Sequence, residues 1–182
     1  MDDLTRLALV AAAGDRVALT AFVRQTQADV WRLCARLGDP AAADDLTQEV
    51  YLRALPALAR FRGDSSVRTW LLQIARHVCA DHVRAATRRR ALRDRLTARQ
   101  ARDAGMVADH AGEVELDAAV VALEPDRRAA FVLTQVIGLS YQETAEVCEV
   151  PVGTIRSRVA RARADLLDAI SVSPGEQASD EP

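Results

Sequence analysis

Apolar residues recur at intervals of three and four along almost all of this 182-residue chain, and no stretch alternates β-branched residues between turn signals. That spacing stacks the apolar positions on one face of a helix, so an all-α fold without strands is expected. With 49% hydrophobic and only 4% aromatic residues, the cores have to be filled by Leu, Val and Ala. The length allows one ordinary core or two small ones.

A first helix is expected over Leu4 to Ala13, ended by Gly14, and a second over Arg16 to Leu37, ended by Gly38. The second offers Phe22, Val30, Trp31, Leu33 and Leu37 to a core. Asp39 before Pro40 is an N-cap followed by the residue favoured at the first helical position, which opens a third helix reaching about Arg60 and bent at Pro56. Phe61 to Ser66 reads as a loop, and Ser65 or Ser66 caps a fourth helix carrying Trp70, Leu71, Ile74 and Val78 to about Ala91. Trp70, set among Leu71, Leu72 and Ile74, is expected in the core. From Arg93 to Gly112 the periodicity fades and Gly105 and Gly112 appear, so this stretch is expected to link two small domains, residues 1–92 and 113–170. Helices resume over Glu115 to Leu123 and Pro125 to Val136. Ser140 with Glu143 is a capping box that opens a short helix to Cys148. After a turn through Glu149 to Pro151, a last helix runs from Val152 to Ile170, and the polar, acidic tail from Ser171 to Pro182 is expected to be disordered.

A net charge of -2 is unusual for a protein that binds nucleic acid unaided, because phosphate contacts supply most of that affinity. Any DNA binding is therefore expected to be local and assisted. Cys34, Cys79 and Cys148 are odd in number and form no CxxC pair, which argues against a disulfide framework or a zinc knuckle and for a reducing compartment. On one helix, His77, Cys79 and His82 point to different faces, so no metal is expected there. No apolar run approaches the roughly 18 residues of a membrane span, and Asp2 and Asp3 stand where a signal peptide needs positive charge. A cytoplasmic protein without membrane insertion is expected.

Two short helices joined by a tight turn match the helix-turn-helix plan, in which the second helix enters the major groove. On that helix Ile155, Val159, Ala162, Leu166 and Ile170 share one face, while Ser157, Ala160, Arg161 and Ala164 share the other, flanked by Arg156 and Arg158. Acidic partners are absent from Val152 to Ala164, whereas a merely solvated face would mix in Glu for pairing. Arg156, Ser157 and Arg161 are expected to approach bases, and Arg158 and Arg163 to contact phosphate.

The helix after Pro40 presents a different surface. Leu46, Val50, Tyr51, Ala54 and Leu58 fill its core arc, while Asp45, Gln48, Glu49 and Leu52 lie opposite at i, i+3, i+4 and i+7. Leu52 is then an exposed apolar anchor ringed by groups that can bond arginine, the pattern of an interface core with its polar rim.

ADDLTQEVYLR from Ala43 to Arg53 resembles the core-polymerase-binding motif of the extracytoplasmic-function (ECF) class of bacterial RNA polymerase sigma factors. FRGDSSVRTWLLQIARHVCADHVR from Phe61 to Arg84 is similar to their segment for promoter melting and -10 recognition. LSYQETAEVCEVPVGTIRSRVARARADLL from Leu139 to Leu167 is similar to their -35 reader, with LEPDRRAAFVL ahead of it, and the resemblance spans Ala8 to Ala169 in the family's order. It implies a sigma factor that directs core RNA polymerase to promoters and assists melting, with no catalysis and no cofactor. It further implies that Asp45, Gln48, Glu49 and Leu52 dock on the clamp helices of the largest polymerase subunit. Phe61, Arg62, Ser65, Ser66, Arg68, Arg76, His77 and Arg84 are then assigned to the -10 element and its unpaired non-template strand, with His77 at a position the family often gives to Asn. Thr154, Arg156, Ser157, Arg158, Arg161 and Arg163 are assigned to the duplex -35 element. The sequence leaves open whether an anti-sigma protein is a further partner, and the expected linker prompts the hypothesis that the two domains pack together in the free chain, hiding their DNA faces.

Three other functions are weaker. A free-standing helix-turn-helix regulator leaves the Asp45 to Leu52 face without a purpose. A small helical enzyme lacks any nucleophile and base, carboxylate pair or phosphate-binding glycine loop at motif spacing. A module that only sequesters another factor is separated by transcription from purified components.

Overall fold

The computed structural model describes residues 1–63, 65–97 and 113–171. Residues 98–112 of the expected linker and the expected tail from 172 onward lie outside the described residues. Among the described residues there are eight α-helices and no strand: α1 (Asp3–Ala12), α2 (Arg16–Leu37), α3 (Ala43–Leu58), α4 (Val67–Thr97), α5 (Glu113–Ala122), α6 (Pro125–Phe131), α7 (Tyr141–Cys148) and α8 (Val152–Ser171).

In the first half, α1 to α4 pack around one core. The buried seam of α2 runs through Phe22, Thr26, Val30, Leu33 and Leu37, positions separated by three or four residues and so stacked on one face. Thr26 is tolerated there because its hydroxyl donates to the Phe22 carbonyl at 2.8 Å and lies 2.7 Å from the Tyr51 hydroxyl of α3. Trp31, expected in this core, instead points outward and is 45% exposed. It lies about one residue's rotation off the seam, and its indole Nε1 donates to Asp44 Oδ1 at 2.8 Å. The start of α4 is tied to α1 through the buried Thr5, whose hydroxyl oxygen accepts the Val67 backbone N–H at 3.0 Å.

Capping explains most helix starts. Asp2, Asp15 and Asp39 each accept a backbone N–H with the side chain; Asp39 opens a short 3-10 turn, Pro40–Ala42, from which α3 continues. Ser66 caps α4, its Oγ accepting from Thr69 N at 3.0 Å. Pro56 lies within α3, which ends at Leu58, and α4 runs on to Thr97, past the point where its apolar spacing fades.

Gly38 is required by close packing. A Cβ there would lie 2.4 Å from Leu46 Cδ1 and 2.8 Å from the Cys34 carbonyl, and the carbonyl belongs to backbone that cannot step aside. Gly38→Ala is therefore expected to destabilise the chain by about 1–3 kcal/mol, the usual range for overpacking. A denaturant midpoint unchanged from the native chain would contradict this.

In the second half, Glu124 caps α6, which passes into a π-helical turn, Val132–Val136, before Gly138 at φ 78° turns the chain. Ser140 and Glu143 form the expected capping box at α7, with both reciprocal bonds present. Glu149, at φ 58°, makes the left-handed turn into α8. The α8 face of Ile155, Val159, Ala162 and Leu166 is buried as expected.

Candidate polymerase and promoter interfaces

On α3 the two arcs separate as the wheel requires. Leu46, Val50, Ala54 and Leu58 are buried, Tyr51 is half-buried, and Asp45, Gln48 and Leu52 are exposed, with Glu49 partly so. Leu52 is 69% exposed, so its side chain contributes little to the fold. Sequence reasoning missed what lies beside it. A groove of about 710 Å³ between α2 and α3 is lined by Val23, Trp31, Tyr51, Leu52 and Leu55, with Asp44 and Gln48 at its polar edge. Trp31 is part of this surface because Asp44 holds its indole at the rim; an exposed tryptophan one residue off the α2 seam was the available signal.

Glu49 accepts from Arg53 Nε at 2.7 Å, while Arg53 Nη1 also reaches Asp81 Oδ2 at 3.1 Å. Arg84 donates to the other Asp81 oxygen at 2.7 Å. Arg84, and secondarily Arg53, hold the Asp81 carboxyl below the usual carboxylate range. A chain of charges thus runs from the α3 acidic face to the middle of α4.

Residues assigned to the -10 element lie on the loop before α4 and on α4 itself. Phe61 packs on Trp70, ring centroids 5.2 Å apart and planes tilted by 43°, and both rings are only partly buried. Trp70 is therefore at the edge of the core. Arg62 is exposed, and Ser65 and Ser66 are half-buried, Ser66 being committed to the α4 cap.

Two arginines of α4, Arg68 and Arg76, are engaged by the second half of the chain. Arg68 is paired with Asp29 of α2 at 2.7 Å and donates to the Ile137 carbonyl at 2.8 Å. Arg76 donates to the Val147 carbonyl at 2.9 Å and to Glu149 Oε2 at 3.2 Å, and His77 Nε2 lies 3.2 Å from the same carboxylate oxygen. The end of α7 and its turn thus cover part of the assigned -10 surface, while Arg84 stays exposed.

The helix-turn-helix surface is in a different state. Arg156, Ser157 and Arg161 are exposed on α8, and Ser157 bonds only its own helix, at the Thr154 carbonyl 2.9 Å away. Thr154 is half-buried. Arg158 is held by Asp126 of α6, and Arg163 donates to Gln135 Oε1 at 2.9 Å. The expected concealment of both DNA faces therefore holds for only one of them. Arg158 also departs from a free phosphate contact, because Asp126 neutralises it. Arg127 paired with Asp165 at 2.7 Å fixes α8 against α6 in the same way. Among the described residues no cluster of three His, Cys, Asp or Glu side chains could hold a metal ion, and no helix is long and apolar enough to cross a membrane.

The family description "Sigma-70 region 2" matches residues 22–89, and "Sigma-70, region 4" matches 113–166. The first covers α2 to most of α4, with the groove and the α4 arginines; the second covers the helix-turn-helix. The chain is 51% identical over 170 residues to the ECF RNA polymerase sigma factor SigC of Mycobacterium tuberculosis, an alignment covering 90% of this chain and 89% of that one. It is 32% identical over 162 residues to the ECF RNA polymerase sigma-E factor of Escherichia coli K12, covering 82% and 85%. Among solved structures it is similar to CnrH in complex with the cytosolic domain of CnrY, with a TM-score of 0.72 and 25% identity over 94% of this chain and all of that one. With both sigma-70 regions matched in order and 51% identity to an ECF sigma factor over most of both chains, the chain belongs to the ECF class of RNA polymerase sigma factors.

Proposed function

We propose that this sigma factor grips core RNA polymerase with the α2–α3 groove and the acidic arc of α3, and reads promoter DNA with α4 and α8. Asp45, Gln48, Glu49 and Leu52 meet the clamp helices of the largest subunit, with Leu52 as the desolvated anchor and the three polar groups as its rim. Arg156, Ser157 and Arg161 read base edges of the duplex -35 element, and Thr154 and Arg163 position the helix on the backbone. Phe61, Arg62, Ser65, Arg68, Arg76, His77 and Arg84 capture the unpaired -10 strand, where Phe61 and Trp70 offer a stacking edge and the arginines offer charge. The carrying observation is an exposed leucine in an acidic setting on one helix, together with an exposed, acid-free arginine face on another.

The mechanism needs no covalent chemistry. Polymerase, -35 duplex and -10 strand are bound by one chain, so each contact raises the effective concentration of the next. A net charge of -2 suits this division, since polymerase contributes the positive surface the free chain lacks. Purified core enzyme tests the reading: the two should co-elute in gel filtration as one complex, and a chain that elutes alone overturns it. An anti-sigma protein is a further partner in this reading; CnrH is solved in complex with the cytosolic domain of CnrY.

Strand capture also requires Arg76 to leave Glu149. Glu149 is more than half exposed, although Arg76 is 20% exposed, and a pair open to solvent on one side is worth about 1 kcal/mol. Glu149→Gln is therefore expected to raise the affinity of the free chain for a single-stranded -10 oligonucleotide by up to about fivefold. Unchanged affinity in a fluorescence anisotropy titration would contradict a competition between the turn and the DNA.

A further inference from the structure

Arg163 follows Arg156 on α8 by seven residues, two helical turns, so the two share one stripe of the helix about 10 Å apart along its axis. Both are exposed, and Arg163 continues the face that presents Arg156. What holds it differs from what holds its neighbours. Asp126 neutralises Arg158, and Asp165 neutralises Arg127. Among the described residues, Arg163 is bound by the Gln135 amide and by no carboxylate.

That amide is fixed in direction by a chain of hydrogen bonds running through the π-helical turn. The Thr134 hydroxyl has one proton and donates it to the Ala130 carbonyl at 2.8 Å, with the Phe131 carbonyl at 3.2 Å sharing it. Thr134 Oγ1 can then only accept, and it accepts from Gln135 Nε2 at 3.0 Å. With the amide nitrogen committed to Thr134, Gln135 Oε1 is left to take Arg163 Nη2 at 2.9 Å. Thr134 is half-buried and Gln135 exposed, so the chain leads from the backbone of α6 out to the surface of α8. A π-helical turn is a departure from α-geometry that recurs at functional sites.

Taking Arg163 as a phosphate contact, we propose that Thr134 and Gln135 are positioning residues that aim it at the -35 duplex while leaving its charge intact. A carboxylate at position 135 would hold the guanidinium more firmly, through a charge-assisted bond, but would cancel the charge that displaces counterions from DNA. A neutral acceptor restricts the long side chain and keeps its attraction for phosphate. Arg158, cancelled by Asp126, ties α8 to α6; Arg163, held by an amide, stays available to the duplex.

The test is fluorescence anisotropy of the full chain on a pool of randomised duplexes, repeated over a series of salt concentrations. Phosphate contacts carry no sequence information, so no promoter sequence is needed. At roughly 0.1 M salt, Gln135→Glu should lower affinity about fivefold to tenfold and flatten the slope of log affinity against log salt by about 0.9, the loss of one phosphate contact. It should melt no lower than the native chain, since the new pair ties α8 more firmly. Gln135→Leu and Thr134→Val should each lose about threefold with the slope unchanged, because Arg163 is then loose but still charged. A role limited to bracing α8 would give the reverse order, with Gln135→Glu binding best of the three. Arg163→Ala should flatten the slope as Gln135→Glu does, and in its presence Gln135→Glu should add less than about twofold. Native affinity and slope for Gln135→Glu, or a cost undiminished in the Arg163→Ala chain, would overturn the proposal. A native slope for Arg163→Ala would overturn the phosphate contact itself, and the proposal with it.

Discussion

Leu52→Ala is expected to weaken binding to core RNA polymerase by roughly 30-fold or more, while leaving the fold intact. The size follows from its place as an apolar anchor inside a polar rim, where truncation typically removes about 2 kcal/mol or more. The intact fold follows from its 69% exposure: removing a side chain already in water leaves no cavity in the α1–α4 core. Circular dichroism and melting should therefore match the native chain while equilibrium binding falls. Glu49→Arg extends the result, since it reverses a rim charge and also repels Arg53, which now bridges Glu49 and Asp81. If Leu52→Ala binds as the native chain does, the groove beside it is not the polymerase contact.

Arg156→Ala is expected to lower specific promoter affinity by about tenfold to a hundredfold and to relax preference at one or two base pairs of the -35 element. A bidentate arginine–guanine contact discriminates by about 1–3 kcal/mol, and Arg156 is exposed on α8 with Ser157 beside it leaving room for close approach. Arg158→Ala should act differently. Because Asp126 already holds that guanidinium, its loss removes an α6–α8 tie and leaves sequence preference in place. Binding to a randomised -35 library separates the two variants. A uniform loss on all sequences for Arg156→Ala would assign it to phosphate and leave the base-reading role to Arg161.

Much of this architecture was legible because helices report themselves locally. The three- and four-residue spacing located α2, α3 and α8, and Ser66 and the Ser140–Glu143 box marked starts that the structure reproduces, while Asp39 caps the 3-10 turn from which α3 continues. The opposed arcs of α3 and α8 were legible for the same reason, since angular position on a helix follows from residue number. Misreadings came where a distant group decides the outcome. Trp31 was expected in the core, but Asp44 on the next helix takes its indole N–H and turns it to the surface. α4 outlasts its apolar pattern because Arg90 to Thr97 is rich in good helix formers, which need no buried face to continue a turn. Nor does helical spacing reveal that Arg68 and Arg76 reach carbonyls some seventy positions away, or that Asp126 occupies Arg158.

Run-off transcription with purified core polymerase and the full chain on fragmented genomic DNA tests the central claim most directly, because it requires partner, DNA recognition and strand opening at once. Discrete transcripts are expected, starting a fixed distance downstream of a shared pair of elements, lost with Leu52→Ala at limiting protein and redistributed with Arg156→Ala. Transcripts no more specific than those of core enzyme alone, or the same start sites from both variants at the same concentrations, would contradict it.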